Sequence, residues 1–116
     1  MLDARTHVNG VGVGVGSILD LESLPPRSID VVLSDAVMMY VPPSEINRSI
    51  AAMRRVAARA VVISGWHGEP RYDEGTWVYD FKELGPAEVS PFPPGAWKDA
   101  RWQKYGAIVA YPPSHV

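Results

Sequence analysis

The side chains able to do chemistry in this sequence fall into two groups. Asp20 and Asp35 each end or follow an apolar run, and His67 sits in Trp66-His67-Gly68, ahead of Tyr72-Asp73. A histidine titrates near neutrality, so His67 can act as a general base for an acceptor hydroxyl or amine. A carboxylate just beyond the carboxyl end of a parallel strand lies where open α/β sheets bind their ligands. The same residues have plainer uses. Asp20 can cap a turn, Asp35 can cap the segment after it, and a single loop histidine can be an ordinary surface residue. Asp30 reads as structural, holding a turn or a sheet edge.

Composition removes several other chemistries. The 116 residues contain no cysteine, which excludes a disulfide scaffold, a zinc ribbon and a thiol nucleophile. Two of the three histidines lie near the termini, so no metal cluster is indicated. With 11 basic and 13 acidic side chains the formal charge is −2, and no basic excess marks a nucleic-acid partner. Met1-Leu2-Asp3-Ala4-Arg5 is not a signal peptide, and no apolar run reaches membrane-spanning length. These features predict one domain over residues 1–116, cytoplasmic, with no membrane partner.

The elements that must position these groups follow from periodicity. Residues 1–9 read as the end of a helix, with His7 and Asn9 near its exit. Val11, Val13 and Val15 alternate with Gly12, Gly14 and Gly16, a period of two that predicts a weak strand over 11–19. Ser17 to Pro26 reads as a loop. Ile29 to Ser34 is a short, nearly continuous apolar run, as in a strand buried on both faces. Asp35 to Val41 is a second apolar stretch, closed by Pro42-Pro43. Ser44 is the expected N-cap of a helix whose Ile46, Ile50, Met53 and Ala57 share one face. Ala60 to Ser64 is another buried strand, so residues 29–64 form one strand–helix–strand crossover of a parallel sheet. Beyond it, Trp66 to Thr76 reads as a loop, Trp77 to Leu84 as a short helix, and Val89–Phe92 and Gln103–Tyr111 as strands joined by a long hairpin connection. Trp77, Trp97 and Trp102 are expected to cover the core.

Across residues 1–64 the order and spacing of motifs resemble class I S-adenosylmethionine-dependent methyltransferases. Asp20-Leu21-Glu22-Ser23-Leu24-Pro25 is similar to the family's "D-x-x-x-L-P" after its third strand. Ser28 to Ser34 is similar to the "S-F-D-V-V-L-S" fourth strand, and Val37 to Pro43 to "V-L-x-H-V-P-P". Arg55-Val56 with Val61-Val62-Ile63-Ser64 resembles the "R-V … V-V-I-S" fifth strand, with Ala57 to Ala60 in place of the "P-G-G" loop. Met1 to Arg5 resembles the "M-L-x-x-A-R" that follows the second strand, and Tyr105 to Val109 would be the last strand.

The resemblance implies methyl transfer from S-adenosylmethionine to a small-molecule acceptor, in which the protein mainly positions and desolvates. It implies a truncated three-layer Rossmann-like sheet of about five strands, mostly parallel with a C-terminal antiparallel strand. Asp20 would accept from the donor's adenine amino group, with the Leu21 N–H donating to the ring. Ser34, Asp35 and Ala36 would line the donor. Tyr40, Trp66, Tyr72 and Asp73 would bind the acceptor, and His67 would be its base. The family's opening strand–Gly-x-Gly-x-Gly–helix has no clear counterpart. Gly12 to Gly16 could be that loop, but Arg5 to Asn9 is poor strand material before it and Leu24-Pro25-Pro26 interrupts any helix after it. The strand 11–19 must then pair beside 29–34 or come loose, because paired strands sit about 4.8 Å apart and no gap persists. The chain is expected to bind S-adenosylmethionine poorly by itself, and to need a missing N-terminal segment or a second copy over its open sheet edge. The competing reading is a non-catalytic methyltransferase-like interaction module that pairs through that edge. A phosphate-binding domain built on the glycine run would need a helix starting near Ser17.

Overall fold

The computed structural model describes residues 3–8 and 11–114. Its architecture is mixed α/β. The main sheet has four strands, β3 (Ile29–Asp35), β4 (Ala57–Trp66), β8 (Gly106–Tyr111) and β7 (Glu88–Pro91), in the order β3-β4-β8-β7. β3 and β4 are parallel, and β8 is antiparallel to both β4 and β7. β3, β4 and β7 therefore point one way and β8 points the other. Two hairpins stand apart from this sheet: β1 (Asp3–Val8) with β2 (Val11–Val15), and β5 (Arg71–Asp73) with β6 (Thr76–Val78).

The crossover read from residues 29–64 is present. Helix α1 (Pro43–Val56) starts one residue before the expected cap, because Pro43 occupies the first helical position, where its missing N–H costs no bond. Glu45 lies in the first turn and Arg54 and Arg55 in the last, complementing the helix dipole. The apolar stripe Ile46, Ile50 and Met53 is buried against one face of the sheet, with Val61, Ile63, Val109 and Tyr111 opposite it. Met38, Tyr79 and Phe81 complete this core. Burying side chains of this size contributes about 1.5–3 kcal/mol each.

Other expectations fail, and each for a local reason. Residues 3–8 form a strand, not a helix end: they pair antiparallel with Val11–Val15, and a helical turn so short would be marginal alone. Met1, Leu2 and Asn9 lie outside the described residues. The strand that begins at Val11 ends at Val15, not Leu19, and does not join β3. Ser17 and Asp20 start a 3₁₀ helix over Ile18–Ser23 within the expected loop; Asp20 Oδ2 accepts from the Ser17 N–H at 2.8 Å, and Ser17 Oγ from the Leu19 N–H at 3.1 Å. Asp35–Val41 is no continuous apolar element but the end of β3, a turn and a 3₁₀ turn at Met38–Tyr40. Trp77–Leu84 is not a helix, since Trp77 is the middle of β6 and Asp80–Leu84 turns back over the core. The expected strand from Gln103 begins only at Gly106, because Asp99 caps a short helix α2 (Ala100–Tyr105) by accepting from the Arg101 and Trp102 N–H groups.

The sheet has one covered face. On the other, Val31 is 47% exposed, Leu33 69% and Ile108 41%. Among the described residues the main sheet is mixed and has four strands, where about five mostly parallel ones are expected, and the long helix α1 packs on one face of it.

Two buried phenols tie the returning segment to the rest. Tyr111 donates to the Phe81 carbonyl and Tyr79 to the Val41 carbonyl, both at 2.5 Å. Burial pushes the Tyr79 phenol up to about 12 from 10 and raises that of Tyr111 as well. The native state thus keeps protons that the unfolded chain loses. This part of the stability should be complete below pH 10 and decline as pH rises towards 12. Urea midpoints measured from pH 8 to 12 should fall above pH 10, and less steeply in Tyr79→Phe.

Candidate functional site

Two constellations sit at the carboxyl ends of the parallel pair. The first is a polar junction between β3 and β4. Asp35 and Ser64 are register partners, the Ser64 hydroxyl donates to Asp35 Oδ1 at 2.5 Å, and the Ala36 N–H donates to the Ser64 carbonyl at 2.9 Å. Ala36 has φ 56°, a left-handed conformation that costs a non-glycine residue about 1–2 kcal/mol. It turns the chain sharply out of β3 towards the 3₁₀ turn at Met38–Tyr40. Ser34 is buried, and its Oγ has no hydrogen-bond partner among the described residues.

The second is a groove of about 580 Å³ lined by residues 67–72 together with Lys104 and Tyr105. β4 leads directly into it. The His67 N–H donates to the Tyr105 carbonyl at 2.8 Å and the Gly68 N–H to the Tyr79 carbonyl at 3.1 Å, which fixes its floor. Gly68 faces the Tyr105 ring and Val78 at 3.4–3.5 Å from where a Cβ would stand. The β5–β6 hairpin forms one wall. Its turn, Glu74-Gly75, has φ 47° and 86°, the pair of positive values that a tight two-residue hairpin requires.

His67 is held from inside. Its Nδ1 accepts from the Phe81 N–H at 3.2 Å, and its ring stacks on Phe81 at 6.2 Å between centroids. With Nδ1 accepting, the neutral ring carries its proton on Nε2. His67 therefore offers the groove a donor, and acting as a base at Nδ1 would require breaking the bond to Phe81.

The expected site residues separate on folding. His67 and Tyr72 line the groove. Trp66 instead enters a second core cluster with Met39, Val78, Trp102 and Tyr105. Asp73 pairs with Thr76 in the hairpin, its carbonyl accepting from the Thr76 hydroxyl at 2.5 Å. Tyr40 is exposed on its 3₁₀ turn. Asp20 belongs to the capping arrangement with Ser17, and Leu21 packs on the main core beside α1. Asp20 and Leu21 thus lie on the 3₁₀ helix beside α1, and Ser34, Asp35 and Ala36 at the carboxyl end of β3. Gly12 to Val15, within the one stretch that could have formed a glycine loop, lie in a strand.

Sequence reading passed over Arg71, Lys104 and Tyr105. Lys104 and Tyr105 fell inside an expected strand, and the available signal was Asp99, a helix-capping residue placed three positions ahead of Trp102. No family model matches the chain, and no curated protein matches it.

The His67–Phe81 bond predicts a graded effect on stability. His67→Ala leaves a part-buried amide N–H without its acceptor and should cost about 1–2 kcal/mol in urea denaturation. His67→Asn, whose carboxamide oxygen can replace Nδ1, should cost clearly less.

Proposed function

We propose that the chain takes part in S-adenosylmethionine-dependent methyl transfer and supplies the side of the site that binds and orients a small-molecule acceptor. The observation that carries this reading is the position of the groove. It opens where β4 ends, beside its parallel neighbour β3, and ligands of open α/β sheets bind at the carboxyl ends of such strands. The motif order over residues 1–64 supports it, as does the last strand, β8, which runs against β3, β4 and β7 as the resemblance implies. In this reading the sheet is the Rossmann-like one that the motifs suggest. The groove holds the acceptor through His67, Arg71 and Tyr72, and shields it from water.

Since the glycine-rich donor loop has no clear counterpart in the sequence, the expected donor affinity is weak, with a Kd of about 1 mM, or roughly −4 kcal/mol. The test is label transfer from methyl-labelled S-adenosylmethionine, at several times that concentration, to a panel of small carboxylates, phenols and amines. Label in the small-molecule fraction, above a heat-denatured blank, is the expected result. No label from a chain whose tryptophan fluorescence shows it folded would overturn the reading.

A second reading is favoured by the free edge of β3 and the apolar face beside it: an interaction module that pairs with a second copy of itself. The charges on the edge restrict how. Antiparallel pairing centred between Val32 and Leu33 would set Asp30 opposite Asp35 and turn the apolar face of one copy to the covered side of the other. Pairing centred on Val32 or on Leu33 avoids both, and joins Val31 and Leu33 of the two copies into one continuous surface. Sedimentation velocity should then show a dimer, and Leu33→Lys should abolish it without loss of thermal stability, because Leu33 is exposed. A monomer at all concentrations removes this reading.

A further inference from the structure

The hydrogen-bonding inventory of the groove is one-sided. His67 has one ring nitrogen engaged by the Phe81 amide, so the other is a donor. Arg71 donates through Nη1 to the Tyr105 hydroxyl at 3.0 Å, so that oxygen accepts and its own proton is available to a further acceptor. Lys104 lies with Nζ 5.2 Å from the centroid of the Tyr105 ring, a cation–π placement that holds the ammonium beside the groove. Glu69 is the only acid among the lining residues, set against Arg71 and Lys104. Two cations less one acid give the groove a formal charge of +1, opposite in sign to the −2 of the whole chain. A concave site of one sign raises the local concentration of ligands of the other.

The walls are flat and apolar. Tyr72 is 61% exposed and is braced edge-on by Trp77, at 5.1 Å between ring centroids. Pro70 and the Tyr105 ring complete the surface. An exposed tyrosine fixed by a second aromatic residue offers a stacking surface at little entropic cost.

We infer that the groove binds a small ligand in which an oxyanion is carried on a flat ring. The anion is held between Arg71 and Lys104, with His67 Nε2–H as a further donor, and the ring lies against Tyr72 and Tyr105. This rests on the groove being the acceptor site, and it names the substrate class of that site. It does not depend on methyl transfer occurring. Carboxylate and phosphate share the chemistry that these donors recognise, and they are separated by the probes.

The test is titration of the intact chain, followed by tryptophan and tyrosine fluorescence and by NMR, with benzoate, phenyl phosphate and the uncharged benzamide, at low salt and in 0.5 M sodium chloride. At least one of the two anions should bind about tenfold tighter than benzamide at low salt, and the difference should shrink in high salt. The tighter anion identifies the oxyanion. Arg71→Gln should weaken anion binding about tenfold while leaving benzamide unchanged, and Lys104→Gln should weaken it by a smaller factor. Thermal melts of both variants check that the hairpin and α2 stay folded. Benzamide binding as well as both anions, an Arg71→Gln variant that binds them normally while folded, or no binding of any probe at 10 mM would each overturn the inference. Anion binding without label transfer keeps the oxyanion site and removes methyl transfer. Label transfer to a neutral or cationic acceptor, without anion binding, does the reverse.

Discussion

Phe81 holds the two halves of the molecule together with every group it owns. Its ring is buried in the main core. Its carbonyl accepts from Tyr111, the last residue of the last strand, and its N–H donates to His67 at the groove. Its ring also packs edge-on against Tyr79, which in turn donates to the Val41 carbonyl ahead of α1. Burying a polar backbone unit is tolerable only when both of its groups are paired. Here each partner belongs to a different part of the fold. The segment 67–85 has little regular structure of its own, and this residue anchors it.

The parts of the fold legible in sequence are those where one pattern dominates. The apolar stripe of α1 and the run of β4 are buried as their patterns imply, whereas β3 is a strand as its run implies but leaves Val31 and Leu33 exposed on one face instead of burying both. The misread parts are short and aromatic-rich or glycine-rich. Trp77, between Thr76 and Val78, favours a strand, and pairing with Tyr72 across a two-residue turn makes it one. Asp99 outweighs the apolar run after it for one and a half turns, and the chain becomes a strand only at Gly106. Residues 3–8 become a strand through a partner that also looked weak in isolation.

The candidate site was half legible for the same reason. His67 and Tyr72 could be named because they follow a strand whose end was evident. Arg71, Lys104 and Tyr105 could not, because the groove exists only once α2 is brought back beside β4. Asp20 and Asp35 show the complementary effect. Their types and positions suit a ligand, yet folding supplies each with a partner inside the chain, Ser17 for one and Ser64 for the other.

Among the described residues both α-helices run into the following strand with no intervening residue, Val56 into Ala57 and Tyr105 into Gly106. At the second junction a Cβ on Gly106 would clash with the Trp102 carbonyl oxygen, so the corner requires a glycine. α2 and β8 thus share one corner, with Lys104 and Tyr105 of the groove on one side of Gly106 and the ladder to β4 and β7 on the other, so the shape of the groove is tied to the middle of the sheet.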